Sequence, residues 1–129
     1  MKRIITALLV ATTFALGGLS LTACSPTEGS APVAAVDFTA DTVVIDVRTP
    51  EEFTTGHLTG SVNIDWEGAE FMQAIDSLDK SAHYVVYCRS GNRAGKALDM
   101  MMSMGFLNVQ NLGSVDEAAA TTGLAVVTD

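Results

Sequence analysis

The stretch "VVYCRSGNRAGKAL", residues 85–98, sets Cys88 at the end of an apolar run and follows it with Arg89, Arg93 and Lys96, three of the seven lysines and arginines in the chain. Fifteen aspartates and glutamates oppose those seven, so cations gathered beside a thiol run against the composition. Between Cys88 and a helix expected to start near Arg93 lie only Arg89, Ser90, Gly91 and Asn92. So short a connection forces a tight turn, for which Gly91 and Asn92 tolerate left-handed backbone angles. A tight loop entering a helix directs several backbone N–H groups inward and forms an anion cradle. The helix N-terminus and the adjacent guanidinium groups favour thiolate over thiol. Cys88 is therefore expected to be nucleophilic, and the cations would draw an anionic substrate to one spot on a protein that otherwise repels anions.

The elements that must hold this loop are legible on either side of it. "TVVIDV" (42–47) and "HYVVYC" (83–88) are short, β-branched or aromatic, and nearly continuous in hydrophobicity, as strands covered on both faces are. "SVNI" (61–64), "NVQNL" (108–112) and "LAVV" (124–127) are weaker strand candidates. In Thr49-Pro50-Glu51-Glu52 a capping threonine, a first-turn proline and a glutamate three residues after the cap predict a short helix. "EGAEFMQAIDSL" (67–78) places Phe71, Ile75 and Leu78 at helical spacing, and Ala94, Ala97, Leu98 and Met101 form a second such face. Gly105 stops that helix, with Phe106 set for the contact that follows a left-handed cap. A further helix is expected at 114–122. Strands alternating with helices predict an α/β fold with a small parallel sheet flanked by helices on both faces. Ligands bind such sheets beyond the carboxyl ends of the strands, where Cys88 falls.

The 129 residues, 48% of them apolar, allow one small domain. "MKRIITALLVATTFALGGLSLTAC" has a basic start, an apolar stretch and small residues before Cys24, the layout of a secretory signal. Leu21-Thr22-Ala23-Cys24 resembles a bacterial lipobox, which implies cleavage after residue 23, lipid on Cys24 and a protein anchored to a bacterial membrane outside the cytoplasm. The alternative is an uncleaved span with an incidental cysteine, for which the stretch is long enough. Two acyl chains anchor stably where one is marginal. "SPTEGSAPVAA" (25–35) reads as a flexible tether, so the domains are signal 1–23, lipidated cysteine and tether 24–35, and folded unit 36–129. Loss of Lys2 and Arg3 leaves five cations against fifteen anions, a net charge of −10. Nucleic-acid binding is excluded on that charge, since phosphate neutralisation needs clustered cations. With Cys24 lipidated, Cys88 is an odd thiol in an exported protein, either an intermolecular link or a reactive group.

"VVIDVRTPEEFTTGHLTGSVNI" (43–64) and "YVVYCRSGNRAGKALDMMMSMGFLNVQNL" (84–112) together resemble the rhodanese-like family, over more than half of the folded part. The resemblance implies a thiosulfate-type sulfurtransferase with no metal or organic cofactor; a monomer is expected. Cys88 would take sulfur from a small anionic donor such as thiosulfate and pass it from a persulfide to a thiol or to cyanide. The N–H groups of Arg89, Ser90, Gly91, Asn92 and Arg93 would hold the persulfide, and the two guanidinium groups would orient the donor, a task suited to their fork geometry. A cysteine-dependent phosphatase or arsenate reductase is the rival enzyme class, but those loops carry five residues between cysteine and arginine and this one carries four. A non-catalytic binding domain is the other alternative; an intact cysteine loop argues against it.

The remaining candidates carry plainer readings. His57 is expected to make a structural hydrogen bond, because a preformed thiolate needs no base. Asp46 and Arg48 read as a buried ion pair supporting a loop, and His83 as an ordinary surface or core residue. Met100, Met101, Met102 and Met104 would point in different directions on a helix, which favours packing over copper ligation. Two departures from the family stand out. Only "VDFTAD" precedes Thr42, where the family has a strand and a helix, so apolar surface could be exposed or the pocket opened. After "NLGS" the chain has "VDEAAATTGLAVV" in place of the family's further glycine and tryptophan.

Overall fold

The computed structural model describes residues 38–129; the expected signal, Cys24, the tether and the domain start at Val36 lie outside the described residues. Strands β1 (Val43–Asp46), β3 (Val62–Asn63), β4 (His83–Tyr87) and β5 (Asn108–Asn111) form a sheet in the order β3-β1-β4-β5. Every neighbour is parallel, with Ile45 opposite Val62, Val44 opposite Val85 and Tyr84 opposite Val109. Parallel neighbours need a crossover, and helices between the strands supply it. Those helices are α1 (Pro50–Thr54), α2 (Phe71–Asp76), α3 (Asn92–Ser103) and α4 (Val115–Thr122).

The period of two along the strands sorts the core into two halves. Ile45, Tyr84 and Val86 pack with Phe71 and Ile75 of α2 and with Ala94, Ala97 and Met101 of α3. Val44, Val85 and Tyr87 face the other way, against Leu58, Leu112 and Ala118 of α4. The doubly covered parallel sheet is thus the architecture predicted from the near-continuous apolar runs.

Local signals set the helix ends. Thr49 caps α1 in a full capping box with Glu52, and Ser114 does the same for α4 with Glu117. Gly105 (φ 94) ends α3 in the left-handed region. Its N–H donates to Met102 and that of Phe106 to Met101, both at 3.1 Å, which is the paired closure of a Schellman cap. Met101 and Phe106 then meet in the core.

Two expectations are corrected. The helix expected over 67–78 spans only Phe71–Asp76, because Asp65 captures the preceding turn: its side chain accepts from Glu67 N–H at 2.9 Å and its carbonyl from Gly68 N–H at 3.1 Å. Such local bonds compete with helix. The strand expected at 124–127 shrinks to β6 (Val126–Val127) and pairs antiparallel with β2 (His57–Leu58), apart from the main sheet. Apolar side chains are exposed near the start of β1 among the described residues. Leu107 is 72% and Met102 52% exposed, beside a cavity of about 230 Å³ lined by Thr42, His83, Tyr84 and Val109. It lies at the strands' amino ends, away from Cys88.

Tyr87 joins the halves of the chain: its buried hydroxyl accepts from Leu58 N–H at 3.0 Å and lies 3.1 Å from the Ser61 hydroxyl. Tyr87→Phe leaves a buried donor unmet, and urea unfolding followed by the fluorescence of Trp66 should register a loss of about 1–3 kcal/mol. A loss within error would mean that the phenol is dispensable.

Candidate functional site

Cys88 ends the β4 run at the centre of the sheet, is 1% exposed, and anchors its own N–H on Gly113 O at 3.0 Å. The chain reverses through Arg89 and Ser90, and Gly91 (φ 84) turns it into α3. Gly91 N–H donates to Cys88 Sγ at 3.0 Å. The predicted loop is present, with Gly91 left-handed and Asn92 the first helical residue.

Burial pushes the Cys88 thiol up, but the N–H groups of Ala94, Ser90, Gly91 and Arg93 favour the thiolate and bring it net below the ordinary cysteine value of 9.0. These donors are peptide groups, so the cradle owes its charge preference to backbone geometry at the start of a helix. Ser90 and Asn92 contribute with backbone to the loop while both residues stay exposed.

The two arginines of the loop differ. Arg89 is exposed and forms no ion pair among the described residues. Arg93 is engaged: Nη1 and Nη2 donate to the two carboxylate oxygens of Glu52 at 2.7 and 2.9 Å, and Glu67 lies 3.7 Å away. The Arg93 guanidinium in turn holds Glu52 well below the usual carboxylate range, at about 2. Glu52 is legible in the sequence as a helix cap; its link to the cysteine loop is not, because the partners are 41 residues apart.

Asn111 is a second site residue that the sequence reading missed. Its Nδ2 donates to Gly91 O at 3.0 Å and its Oδ1 accepts from Gly113 N–H at 2.9 Å. The triplet Asn111-Leu112-Gly113 carries the usual signal of an asparagine bonding the backbone two residues on. Close approach explains Gly91: a Cβ there would stand 3.1 Å from Gly113 Cα. A cavity of about 670 Å³ opens on this side, lined by Ser90, Gly91, Asn111, Leu112, Glu117 and Thr121.

Asp46 and Arg48 form the expected buried ion pair under the loop after β1. Arg48 Nη2 donates to Asp46 Oδ2 and to Gly56 O, each at 2.6 Å, and Asn63 Nδ2 donates to Arg48 O at 2.8 Å. His57 makes the expected structural contact, with Nδ1 3.0 Å from Phe53 O and its ring stacked on Phe53 at 3.7 Å. His83 is exposed. Met101 is buried and Met102 exposed, so the methionines diverge. No cluster of three or more His, Cys, Asp or Glu side chains suited to a metal occurs among the described residues.

By fold and site this is a cysteine-loop α/β domain, in which a buried sulfur is cradled by loop N–H groups at the carboxyl end of a central parallel strand. The chain belongs to the rhodanese-like domain family, whose model matches residues 32–120. It is similar to thiosulfate sulfurtransferase PspE of Escherichia coli strain K12, 33% identical over 75 residues that cover 58% of this chain and 72% of the relative. It is also similar to the chloroplastic thiosulfate sulfurtransferase 16 of Arabidopsis thaliana, 32% identical over 90 residues, 62% of this chain and 75% of the relative. Among solved structures, one described as rhodanese with anions from E. coli superposes with a TM-score of 0.58 at 30% identity, over 68% of this chain and 99% of the other.

The depressed Cys88 value has two readouts. Alkylation of Cys88 by iodoacetamide, followed on its peptide by mass, should reach half-maximal rate below 9.0. A midpoint at or above that value would remove the cradle's electrostatic role. Because the folded value lies below the unfolded one, the thiolate's stabilisation is complete above the unfolded value and is lost as pH falls through the folded one. Unfolding free energy should therefore rise with pH across that window, and Cys88→Ser should flatten the rise.

Proposed function

We propose that the protein is a sulfurtransferase that moves a sulfane sulfur from thiosulfate or a similar small anion to a thiol or to cyanide, through a persulfide on Cys88. The observation that carries this reading is the buried sulfur cradled by loop N–H groups, which hold it below the ordinary cysteine value. The lowered value raises the thiolate fraction at a given pH, and the thiolate is the form that attacks. Its sulfur forms a bond to the outer sulfur of thiosulfate, the S–S bond of the donor breaks, and the electron pair leaves with sulfite. The negative charge then sits one sulfur further out, where the peptide N–H groups of the loop can still meet it. In the second half-reaction the acceptor attacks that outer sulfur, and Cys88 departs as thiolate, restoring the start. Electrons balance without an external oxidant or reductant. The names of the relatives, thiosulfate sulfurtransferases in a bacterium and a plant, support the same chemistry.

The four residues between Cys88 and Arg93 favour a sulfur guest over phosphate, and the Arg93 guanidinium is turned to Glu52 where a phosphatase would need it on the substrate. The signal-like N-terminus supports placing this activity outside the cytoplasm, tethered by lipid on Cys24. Cys24→Ser should then move the protein out of the membrane fraction, while an unchanged distribution would favour the uncleaved span.

The chemistry is tested by exposing the reduced protein to thiosulfate, recording intact mass, and adding cyanide. A gain of one sulfur that cyanide discharges as thiocyanate, lost in Cys88→Ser, is the expected result. Folded, reduced protein that gains no sulfur from thiosulfate would overturn it.

A further inference from the structure

The loop places two arginines near one thiolate in a protein with few cations, yet they are held in opposite ways. Arg93 is 20% and Glu52 30% exposed at their side chains, and their bidentate contact is the most enclosed ion pair near the loop. Glu52 is also fixed from its own side, since Oε2 accepts Thr49 N–H at 3.3 Å and closes the box at the start of α1. The carboxylate thus reaches α3 from a helix that is itself clamped. Arg93 nevertheless stays within electrostatic reach of Cys88, whose charge contributes to raising the arginine. Arg89, one residue after the nucleophile, is exposed and unpaired among the described residues.

We propose that Glu52 is a positioning residue for the Cys88 loop: it holds the Arg93 guanidinium out of the donor's path and cancels its charge, leaving Arg89 as the cation that meets the incoming anion. Arg93 is then an anchor between α1 and α3, and the loop's net charge toward a ligand is that of one arginine. The acid tunes how strongly the mouth of the cradle attracts anions, because local potential sets the capture of charged ligands. Glu67, 64% exposed and 3.7 Å from Arg93, is a weaker, solvent-screened second counter-charge. Arg48 adds positive potential at Glu52 but is committed to Asp46. The inference rests on the sulfurtransferase reading only for the identity of the donor; the charge arrangement stands apart from it.

The test compares two reagents of near-equal size on the full chain, iodoacetate and iodoacetamide, with alkylation of the Cys88 peptide read by mass. Their rate ratio reports the potential at the sulfur and involves no sulfur transfer. Glu52→Gln leaves Arg93 uncompensated and should raise the iodoacetate-to-iodoacetamide ratio on the order of threefold. Arg93→Gln leaves Glu52 uncompensated and should lower it by a similar factor, and Arg89→Gln should lower it as well. Glu67→Gln should move it less than Glu52→Gln does. Loosening of the loop alone would shift both Glu52→Gln and Arg93→Gln in the same direction, so opposite signs identify charge and common signs overturn the proposal. A ratio unchanged in both would overturn it too. With thiosulfate as substrate, Glu52→Gln should lower KM more than it alters kcat. If thiosulfate proves inert while the alkylation ratios move as expected, the donor assignment falls and the role of Glu52 stands.

Discussion

A thiolate inside a protein is favoured only where its charge is met, and at Cys88 peptide N–H groups are placed to meet it. Burial alone would drive this sulfur toward the neutral thiol; four N–H groups from Ala94, Ser90, Gly91 and Arg93 outweigh that cost. For those groups to converge, the chain must reverse within the four residues between β4 and α3 and begin a helix, which Gly91 at φ 84 permits. The reversal presses Gly91 against Gly113, so the turn between β5 and α4 is shaped by the same demand. Asn111 locks the two turns together through one donor and one acceptor, and Cys88 N–H closes the ring on Gly113 O. The carboxyl ends of two adjacent strands are thereby tied into a single frame around one sulfur.

Polar contacts in the surrounding shell supply geometry more than stability. Helix α1 buries none of its residues fully, so its place depends on polar and stacking contacts: Phe53 against His57, and the bond from Glu52 to Arg93. A partly exposed pair of that kind is worth about 1 kcal/mol or less. Asp46 and Arg48 are deeply buried, and their attraction is largely spent on lost hydration. Their value lies in the bond from Arg48 to Gly56 O, which fixes the segment leading into β2. Among the described residues no buried side-chain nitrogen or oxygen lacks a partner, so this polar shell is complete. Stability comes instead from the two apolar layers on either side of the sheet.

What could be read in the sequence were features whose cause is local. Thr49-Pro50-Glu51-Glu52, Gly105 with Phe106, and the loop from Cys88 to Arg93 each contain within a few residues the groups that decide their conformation, and each has the conformation expected. The two apolar runs at 42–47 and 83–88 announce a doubly covered sheet because no face is left polar. Features set by distant partners were not readable. The pairing of β2 with β6 joins two-residue strands across the chain, too short for any alternation to register. One local feature was misread as well: the first turn of the helix expected at 67 gives way to a turn closed by Asp65, whose side chain and carbonyl take the N–H groups of Glu67 and Gly68. The bond from Arg93 to Glu52 could not be read either, because the sequence says nothing of where Glu52 lies in space.

That last case separates two properties of the site. A cradle of peptide N–H groups depends on the path of the backbone, so it stays in place whatever side chains stand at 89, 90 and 92, provided that 91 is glycine. The inward set of N–H donors is in this sense a property of the fold. Selection among anions cannot come from the same groups, since they offer every guest the same donors. It must come from the side chains around the rim, where Arg89, Ser90 and Asn92 are exposed and Arg93 is balanced by a carboxylate from another helix. The fold can therefore keep one reactive sulfur constant while the charge around its mouth changes, residue by residue, without disturbing the loop that makes the sulfur reactive.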